Sequence, residues 1–132
     1  MSGLILRLRP HEELLINGAL IQNGDRKTNL RVKSDGAAIL RLRDAMRPEE
    51  ATTPERRAYY VAQLAVAGQM EAEEAGAILT RALSQLAASY AGQSERQSIE
   101  KAIDELQAGR LYSVMRRLRE IIEPPAAFEV VA

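Results

Sequence analysis

Hydrophobic and polar residues alternate along the first third of the chain. The segment ILRLR occupies residues 5–9 and returns at residues 39–43, and TNLRVK at residues 28–33 alternates in the same way. A period of two residues is typical of strands with one buried face, so the apolar residues are predicted to point inward and the cationic residues outward. Asn17-Gly18, between two apolar runs, predicts a tight hairpin turn. The pattern therefore predicts four or five short antiparallel strands.

From residue 54 onward the apolar residues recur with a helical period instead. Positions three or four residues apart predict three or four amphipathic helices, the last of which stops at Pro124-Pro125. Two threonines compete for the start of the first helix. Thr52 has a glutamate three residues later, as in a capping box, whereas Thr53 precedes a proline at the first helical position. Ser94 is predicted to cap the third helix, with Gln97 in the capping-box position.

Strands and helices follow one another in two blocks rather than alternating, which favours an α+β fold over a doubly wound parallel sheet. We predict an N-terminal small antiparallel β-sheet or barrel followed by a C-terminal bundle of three or four helices. The predicted boundaries are a β lobe at residues 1–48, a connector at 49–53, a helical lobe at 54–123 and a tail at 124–132.

The two blocks differ in charge although the whole chain is neutral. Residues 1–48 carry nine basic and five acidic groups, whereas residues 49–132 carry nine basic and thirteen acidic groups. The blocks therefore differ as +4 against −4. Such asymmetry indicates either a polyanionic partner for the basic block or mutual attraction between the blocks.

Composition sets further limits. The chain contains no cysteine, and no apolar run reaches the length of a membrane-spanning helix, so we expect a cytoplasmic protein without a membrane association. His11 is the only histidine and lacks metal-binding neighbours in the sequence. Acidic pairs such as Glu12-Glu13 fit loops or helix starts. We expect neither an enzyme nor a bound cofactor or metal.

The basic residues of the β lobe are the first set of candidate binding residues. If the two ILRLR strands were neighbours, their arginines would share one sheet face and attract RNA phosphates. The alternative is an ordinary solvated outer face. Aromatic residues are scarce, which counts against base stacking. The predicted RNA-binding residues are Arg7, Arg9, Arg26, Lys27, Arg31, Lys33, Arg41 and Arg43.

The helical lobe supplies a second candidate surface. Tyr59 and Tyr60 are adjacent and so point in different directions, and Arg116 and Arg117 form a local basic cluster. Because tyrosine and arginine are common interface anchors, these four residues are predicted to bind a protein partner. Exposed strand edges would also allow a homo-oligomer.

The sequence resembles the FlbT family of flagellin post-transcriptional regulators. The segments that carry the resemblance are LRLRPHEELLINGALIQN at residues 6–23, GDRKTNLRV at 24–32 and EEATTPERRAYY at 49–60. The resemblance covers most of the chain, and its C-terminal helices match mainly in pattern.

The resemblance implies a repressor that associates with the 5′ untranslated region of flagellin messenger RNA and promotes its decay, together with a small helical flagellar protein, FlaF. It supplies no catalytic motif and no RNA-contact residues. The alternative hypothesis is a flagellar export and assembly module that binds flagellin or the helical partner and affects RNA only indirectly.

Overall fold

A computed structural model of the protein describes residues 4–122. The chain divides into two compact units, Met1–Ala45 and Met46–Ala132. The first unit contains antiparallel strands and the second contains helices. This confirms the predicted α+β fold with strands first and helices after them. The predicted tail at 124–132 lies outside the described residues.

The β unit contains two small antiparallel sheets. The strands are Leu4–Leu8 (β1), Glu13–Ile16 (β2), Ala19–Gln22 (β3), Thr28–Val32 (β4) and Ile39–Arg41 (β5). One sheet pairs β1 with β4, and the other has the order β3-β2-β5. The β2–β3 connection is the predicted two-residue turn, in which Asn17 and Gly18 have φ angles of 50° and 84°. Two positive φ angles are the mark of a type I′ turn, which Asn-Gly favours.

The core of the β unit is formed by alternate residues of its strands. Leu6, Leu8, Leu14 and Ile39 form a buried cluster, and Leu30 is among the half-buried residues that pack against it. The residues between them, such as Arg7 and Arg31, are exposed. The period of two therefore gave the correct inward face for β1 and β4.

The second ILRLR copy departs from the predicted pattern. Only Ile39–Arg41 is a strand, and Leu42–Asp44 forms a 3₁₀ turn closed by a hydrogen bond from the Ala45 N–H to the Leu42 carbonyl, 3.1 Å long. The strand then lies beside β2, whereas the first copy lies beside β4. The two pentapeptides are therefore not hydrogen-bonded neighbours.

The helical unit contains four α-helices between residues 46 and 122, and each of them contacts two others. They span Pro54–Val66 (α1), Ala72–Ser89 (α2), Glu95–Gln107 (α3) and Leu111–Arg119 (α4), after a 3₁₀ turn at Pro48–Glu50. Residues spaced by three or four positions fill the core, among them Leu79, Leu83 and Leu86 of α2. No helix within residues 4–122 is long and apolar enough to cross a membrane.

Helix α1 begins at the second of the two candidate caps. The Thr53 side chain accepts a hydrogen bond from the Arg56 N–H at 3.1 Å, and Pro54 is the first helical residue. Ser94 does precede α3, but its side chain makes no capping hydrogen bond. The backbone of Ser94 is already helical (φ −64°, ψ −30°), whereas a capping side chain requires an extended backbone. The predicted capping box at Gln97 is therefore wrong.

A buried glutamine holds the segment before α1. The side chain of Gln63 accepts a hydrogen bond from the Met46 N–H and donates one to the Met46 carbonyl, both 2.8 Å long. This two-way contact satisfies both polar atoms of the amide, which explains why a buried glutamine is tolerated.

Candidate nucleic-acid interface

Four cationic residues of the β unit line one open cavity of about 460 Å³. None of the described residues that line it is acidic. The lining consists of Arg7, Leu8, Arg9, Lys27, Thr28, Asn29 and Arg43. A cavity with this lining concentrates positive charge in a chain whose net charge is zero.

The register of β1 and β4 places these residues side by side. Arg7 lies opposite Asn29, and Leu8 lies opposite Thr28. Arg9 follows the end of β1, and Lys27 precedes the start of β4. Because antiparallel strands bring the end of one beside the start of the other, the two cations outside the strands meet at the same end of the sheet.

An asparagine side chain holds the two cationic segments together. The Asn23 Nδ2 group donates to the Arg9 carbonyl at 2.8 Å and to the Arg26 carbonyl at 2.9 Å. The Thr28 hydroxyl also donates to the Arg26 carbonyl, at 3.0 Å. The backbone on both sides of the cavity is therefore fixed by hydrogen bonds that do not use the cationic side chains.

A buried carboxylate lies next to one cation of the cavity, since Glu12 Oε2 is 3.7 Å from Arg43 Nε. Glu12 is 9% exposed and accepts hydrogen bonds from Arg41 Nε at 2.7 Å, Arg41 Nη2 at 2.9 Å and the Arg9 N–H at 2.9 Å. The hydrogen bonds from Arg41 lower the pKa of Glu12 to about 2; burial acts against them, and the Arg9 N–H adds to them. The same pairing raises the pKa of Arg41 above its ordinary value.

Arg41 also connects the two ILRLR copies. Its Nη2 group donates to the Arg7 carbonyl at 2.5 Å, so β5 is tied to β1 through a side chain rather than through backbone pairing. Arg43 is more loosely placed, with its Nε 3.7 Å from Glu12 and 3.9 Å from Asp44. Arg41 is thus committed to an ion pair, whereas Arg43 extends to the cavity.

The structure brings together half of the predicted RNA-binding residues. Arg7, Arg9, Lys27 and Arg43 share the cavity, whereas the other four predicted cations do not line it. Arg31 lies on the outer face of β4 opposite Ile5. The remaining three are Arg26, Lys33 and Arg41. Sequence reasoning missed Asn29 and Glu12, because their roles depend on strand register and burial rather than on charge.

The predicted partner-binding residues lie in the helical unit and are differently exposed. Tyr59 is 5% exposed, and its hydroxyl lies 3.3 Å from Arg119 Nη1, which donates to it. Tyr60 is half-buried. Arg116 and Arg117 line a cavity of about 190 Å³ together with Glu105, Ser113 and Glu120. The mixed charge of this cavity makes it a poor match for a polyanion.

A larger and more apolar groove lies between α1 and α2. Its volume is about 520 Å³, and Val61, Ile78 and Leu86 contribute apolar surface. At one end the Tyr90 hydroxyl donates to Glu55 Oε2 at 2.5 Å, which raises the pKa of Tyr90 to about 12. Burial raises the pKa of Glu55, but the hydrogen bonds it accepts outweigh burial and leave that pKa below its ordinary value.

Comparison with known proteins places the chain in a family. The family model described as "Flagellar protein FlbT" matches residues 4–127. The chain belongs to the FlbT family. The FlbT match spans both units, and it confirms the resemblance seen in the sequence. No solved structure matches the chain.

Several FlbT relatives carry functional names. The "Probable flagellum biosynthesis repressor protein FlbT" of Brucella ovis is 32% identical over 119 residues, which cover 89% of this chain and 76% of the relative. The protein of the same name from Caulobacter sp. strain K31 is 43% identical over 70 residues, 53% of each chain. The "Flagellum biosynthesis repressor protein FlbT" of Caulobacter vibrioides is 39% identical over 71 residues, 54% of this chain and 50% of the relative. The match therefore spans about half the length of each Caulobacter relative.

Proposed function

We propose that this protein represses flagellum biosynthesis by binding the 5′ untranslated region of flagellin messenger RNA, whose decay it then promotes. The names of the FlbT relatives support the repressor role. The observation that carries the RNA contact is the cavity lined by Arg7, Arg9, Lys27 and Arg43 without an acidic residue.

The chemistry of the cavity suits phosphate groups. An arginine guanidinium donates two parallel hydrogen bonds to a phosphate, and a lysine adds a point charge. Thr28 and Asn29 add neutral polar groups between the cations. Each neutralised phosphate releases counterions, so binding weakens as salt concentration rises. The cavity would therefore hold the backbone of the leader, while none of its lining residues within 4–122 is an aromatic on which a base could stack.

In this proposal the decay of the messenger is indirect. The bound protein would recruit a nuclease or exclude ribosomes from the leader, and itself carries out no chemistry. The protein is accordingly a regulator rather than an enzyme.

The test is a comparison of two double variants with equal loss of charge. Arg7→Ala with Lys27→Ala removes two cavity cations, and Arg26→Ala with Arg31→Ala removes two exposed cations that do not line the cavity. Binding to a flagellin leader and to a shuffled RNA is measured across a salt series. We expect the cavity variant to lose about tenfold or more in affinity and to lower the salt slope by about 2, with a smaller loss in the control.

Two outcomes would contradict the proposal. Equal losses in both variants would mean that general charge attracts RNA and that the cavity has no special role. Equal affinity of the wild type for the leader and the shuffled RNA would contradict specific recognition of the flagellin leader, on which the proposed regulation depends. In cells, the cavity variant is expected to lengthen the lifetime of flagellin messenger RNA.

The apolar groove between α1 and α2 favours a second function. Ile78 is 40% exposed there, and an apolar groove of about 520 Å³ suits apolar side chains of a partner helix. We propose as the alternative that the helical unit binds flagellin or a small helical protein of the FlaF type. A pull-down with Ile78→Lys, compared with Tyr60→Ala and Arg116→Ala, separates the groove from the other predicted partner residues. Full retention of the partner by all three variants would oppose this alternative.

A further inference from the structure

Strand β3 differs from every other strand in residues 4–122. All four of its residues, Ala19–Gln22, are exposed, with Leu20 at 61% and Ile21 at 37%. Each of the other strands carries a charged residue and at least one residue that is buried or half-buried. β3 has neither, although its two central residues are large and apolar.

Within residues 4–122 no strand pairs with the outer edge of β3. β3 pairs with β2 on one side only and ends the order β3-β2-β5. Proteins usually protect such an edge with a charge, a proline or a bulge, because its unpaired backbone groups attract another strand. The sequence ALIQ contains no such protection. An uncharged, apolar and open edge is therefore suited to pairing with a further strand.

The hairpin register shows which backbone groups face outward. The Asn23 N–H donates to the Glu12 carbonyl at 2.9 Å, so these two residues form a hydrogen-bonded pair. Bonded and non-bonded pairs alternate along an antiparallel ladder. Gln22 opposite Glu13 and Leu20 opposite Leu15 are then non-bonded pairs. The backbone groups of Leu20 and Gln22 consequently point away from β2, into the open edge.

We propose that β3 pairs antiparallel with β3 of a second copy of this chain, about a two-fold axis at Ile21. Leu20 of each copy exchanges backbone hydrogen bonds with Gln22 of the other, and the two Ile21 residues face each other as a non-bonded pair. This register uses the outward groups of both residues. The interface is isologous, since the same four residues serve both copies.

Charge favours a second copy as the occupant. In a two-fold pairing the strand lies against the identical strand of the second copy. A charged side chain on that strand would therefore lie close to a side chain of the same charge. β1, β4 and β5 carry Arg7, Arg31 and Arg41, whereas β3 carries no charge. The antiparallel arrangement also keeps the basic turn at Arg26 and Lys27 of one copy away from that of the other.

The small size of the β unit gives a reason for the pairing. Its sheets have two and three strands, and the chain has no cysteine that could form a stabilising disulfide. Sheets of this size are marginally stable alone, and oligomerisation is one common way to strengthen them. Pairing through β3 joins two three-stranded sheets into a continuous sheet and covers part of the exposed surface of Leu20 and Ile21.

Single cysteines test the register directly, because each variant has one thiol per chain. Opposing residues of a non-bonded pair have Cα atoms about 4.5 Å apart, within the range that a disulfide spans. Two Leu20 residues would be offset by two positions, which places their Cα atoms more than about 7 Å apart, too far for a disulfide. Under mild oxidation we expect Ile21→Cys to form a covalent dimer about tenfold or more faster than Leu20→Cys. Equal rates in the two variants, or no dimer in either, would overturn the proposal.

Sedimentation tests the same interface without a covalent bond. The wild type is expected to sediment at twice the chain mass of 14.6 kDa. Ile21→Lys places two ammonium groups on the axis and is expected to give monomers, whereas Ile5→Lys, a matched change on the exposed face of β1, keeps the dimer. Circular dichroism verifies that both variants fold. A monomeric wild type at all concentrations, or a dimeric Ile21→Lys, would refute the pairing. Neither experiment depends on RNA binding.

Discussion

The carboxylate of Glu12 and the guanidinium of Arg41 form a two-point ion pair, with hydrogen bonds of 2.7 and 2.9 Å, although 29 positions separate them in the sequence. The Glu12 side chain is 5% exposed and the Arg41 side chain 19%. Arg41 also reaches the Arg7 carbonyl. This pair therefore joins the loop after β1 to β5, and Arg41 ties both to Arg7, which lines the cationic cavity.

Removing the charge of Glu12 should destabilise the β unit. Glu12→Gln leaves the half-buried Arg41 without the carboxylate that it hydrogen-bonds, and the loss of one partner of such a pair costs about 2 kcal/mol or more. Glu13→Gln is the control, since Glu13 is exposed. Hydrogen exchange read peptide by peptide is expected to show faster exchange in residues 4–45 of the first variant only. Unchanged exchange in those residues would show that the pair adds little.

The same pair predicts how stability depends on pH. The pKa of Glu12 is lowered from 4.5 to about 2 in the folded protein, so folding favours the ionised carboxylate. Its stabilising effect is complete above pH 4.5 and is lost as pH falls through about 2. Denaturant unfolding of the wild type and of Glu12→Gln at several pH values measures the contribution of the ionised carboxylate to the unfolding free energy. The gap between their unfolding free energies should narrow steadily below pH 4.5, and a constant gap would contradict the assignment.

The helix cap at Thr53 allows a prediction with a neighbouring control. Thr53→Ala removes the acceptor for the Arg56 N–H and should lower the unfolding free energy by about 1 kcal/mol. Thr52→Ala should change it by much less, because α1 begins one residue later than a Thr52 cap requires. Equal losses in the two variants would mean that Thr52 shares the capping role.

The local features of the fold could be predicted from sequence, whereas the pairing of elements could not. Alternation places Leu6 and Leu8 inward because side-chain direction along a strand is a local property. The Asn17-Gly18 turn is equally local. The pairing of β1 with β4 rather than with β5 depends on contacts between distant residues, and so the two ILRLR copies gave no information about it.

The candidate site shows the same limit. Counting cations identified all four that line the cavity, together with four that do not. Arg41 and Arg43 each follow a leucine in the same pentapeptide, yet the first is held by Glu12 and the second reaches the cavity. Their difference arises where the strand ends at Arg41 and a 3₁₀ turn begins at Leu42. No pattern of residue types indicated that boundary.

This difference between Arg41 and Arg43 predicts that the same substitution affects different properties at the two positions: RNA affinity at Arg43 and folding stability at Arg41. Arg43→Ala removes a cavity cation that has only looser contacts with Glu12 and Asp44. It should weaken leader RNA binding about threefold to tenfold and lower the salt slope by about 1, with little change in unfolding free energy. Arg41→Ala leaves Glu12 buried without its main partner, so it should lower the unfolding free energy by about 2 kcal/mol or more.

The two effects are separated by measuring both quantities on both variants. RNA affinity is compared at a temperature where each variant is folded, as judged by circular dichroism, so that unfolding does not lower the apparent affinity. Under that condition Arg41→Ala should bind RNA with a salt slope closer to that of the wild type than Arg43→Ala does, because Arg41 does not line the cavity. If folded Arg41→Ala has a lower salt slope than Arg43→Ala, Arg41 contacts the RNA phosphates more than Arg43 does. That result would contradict the cavity as the main RNA contact.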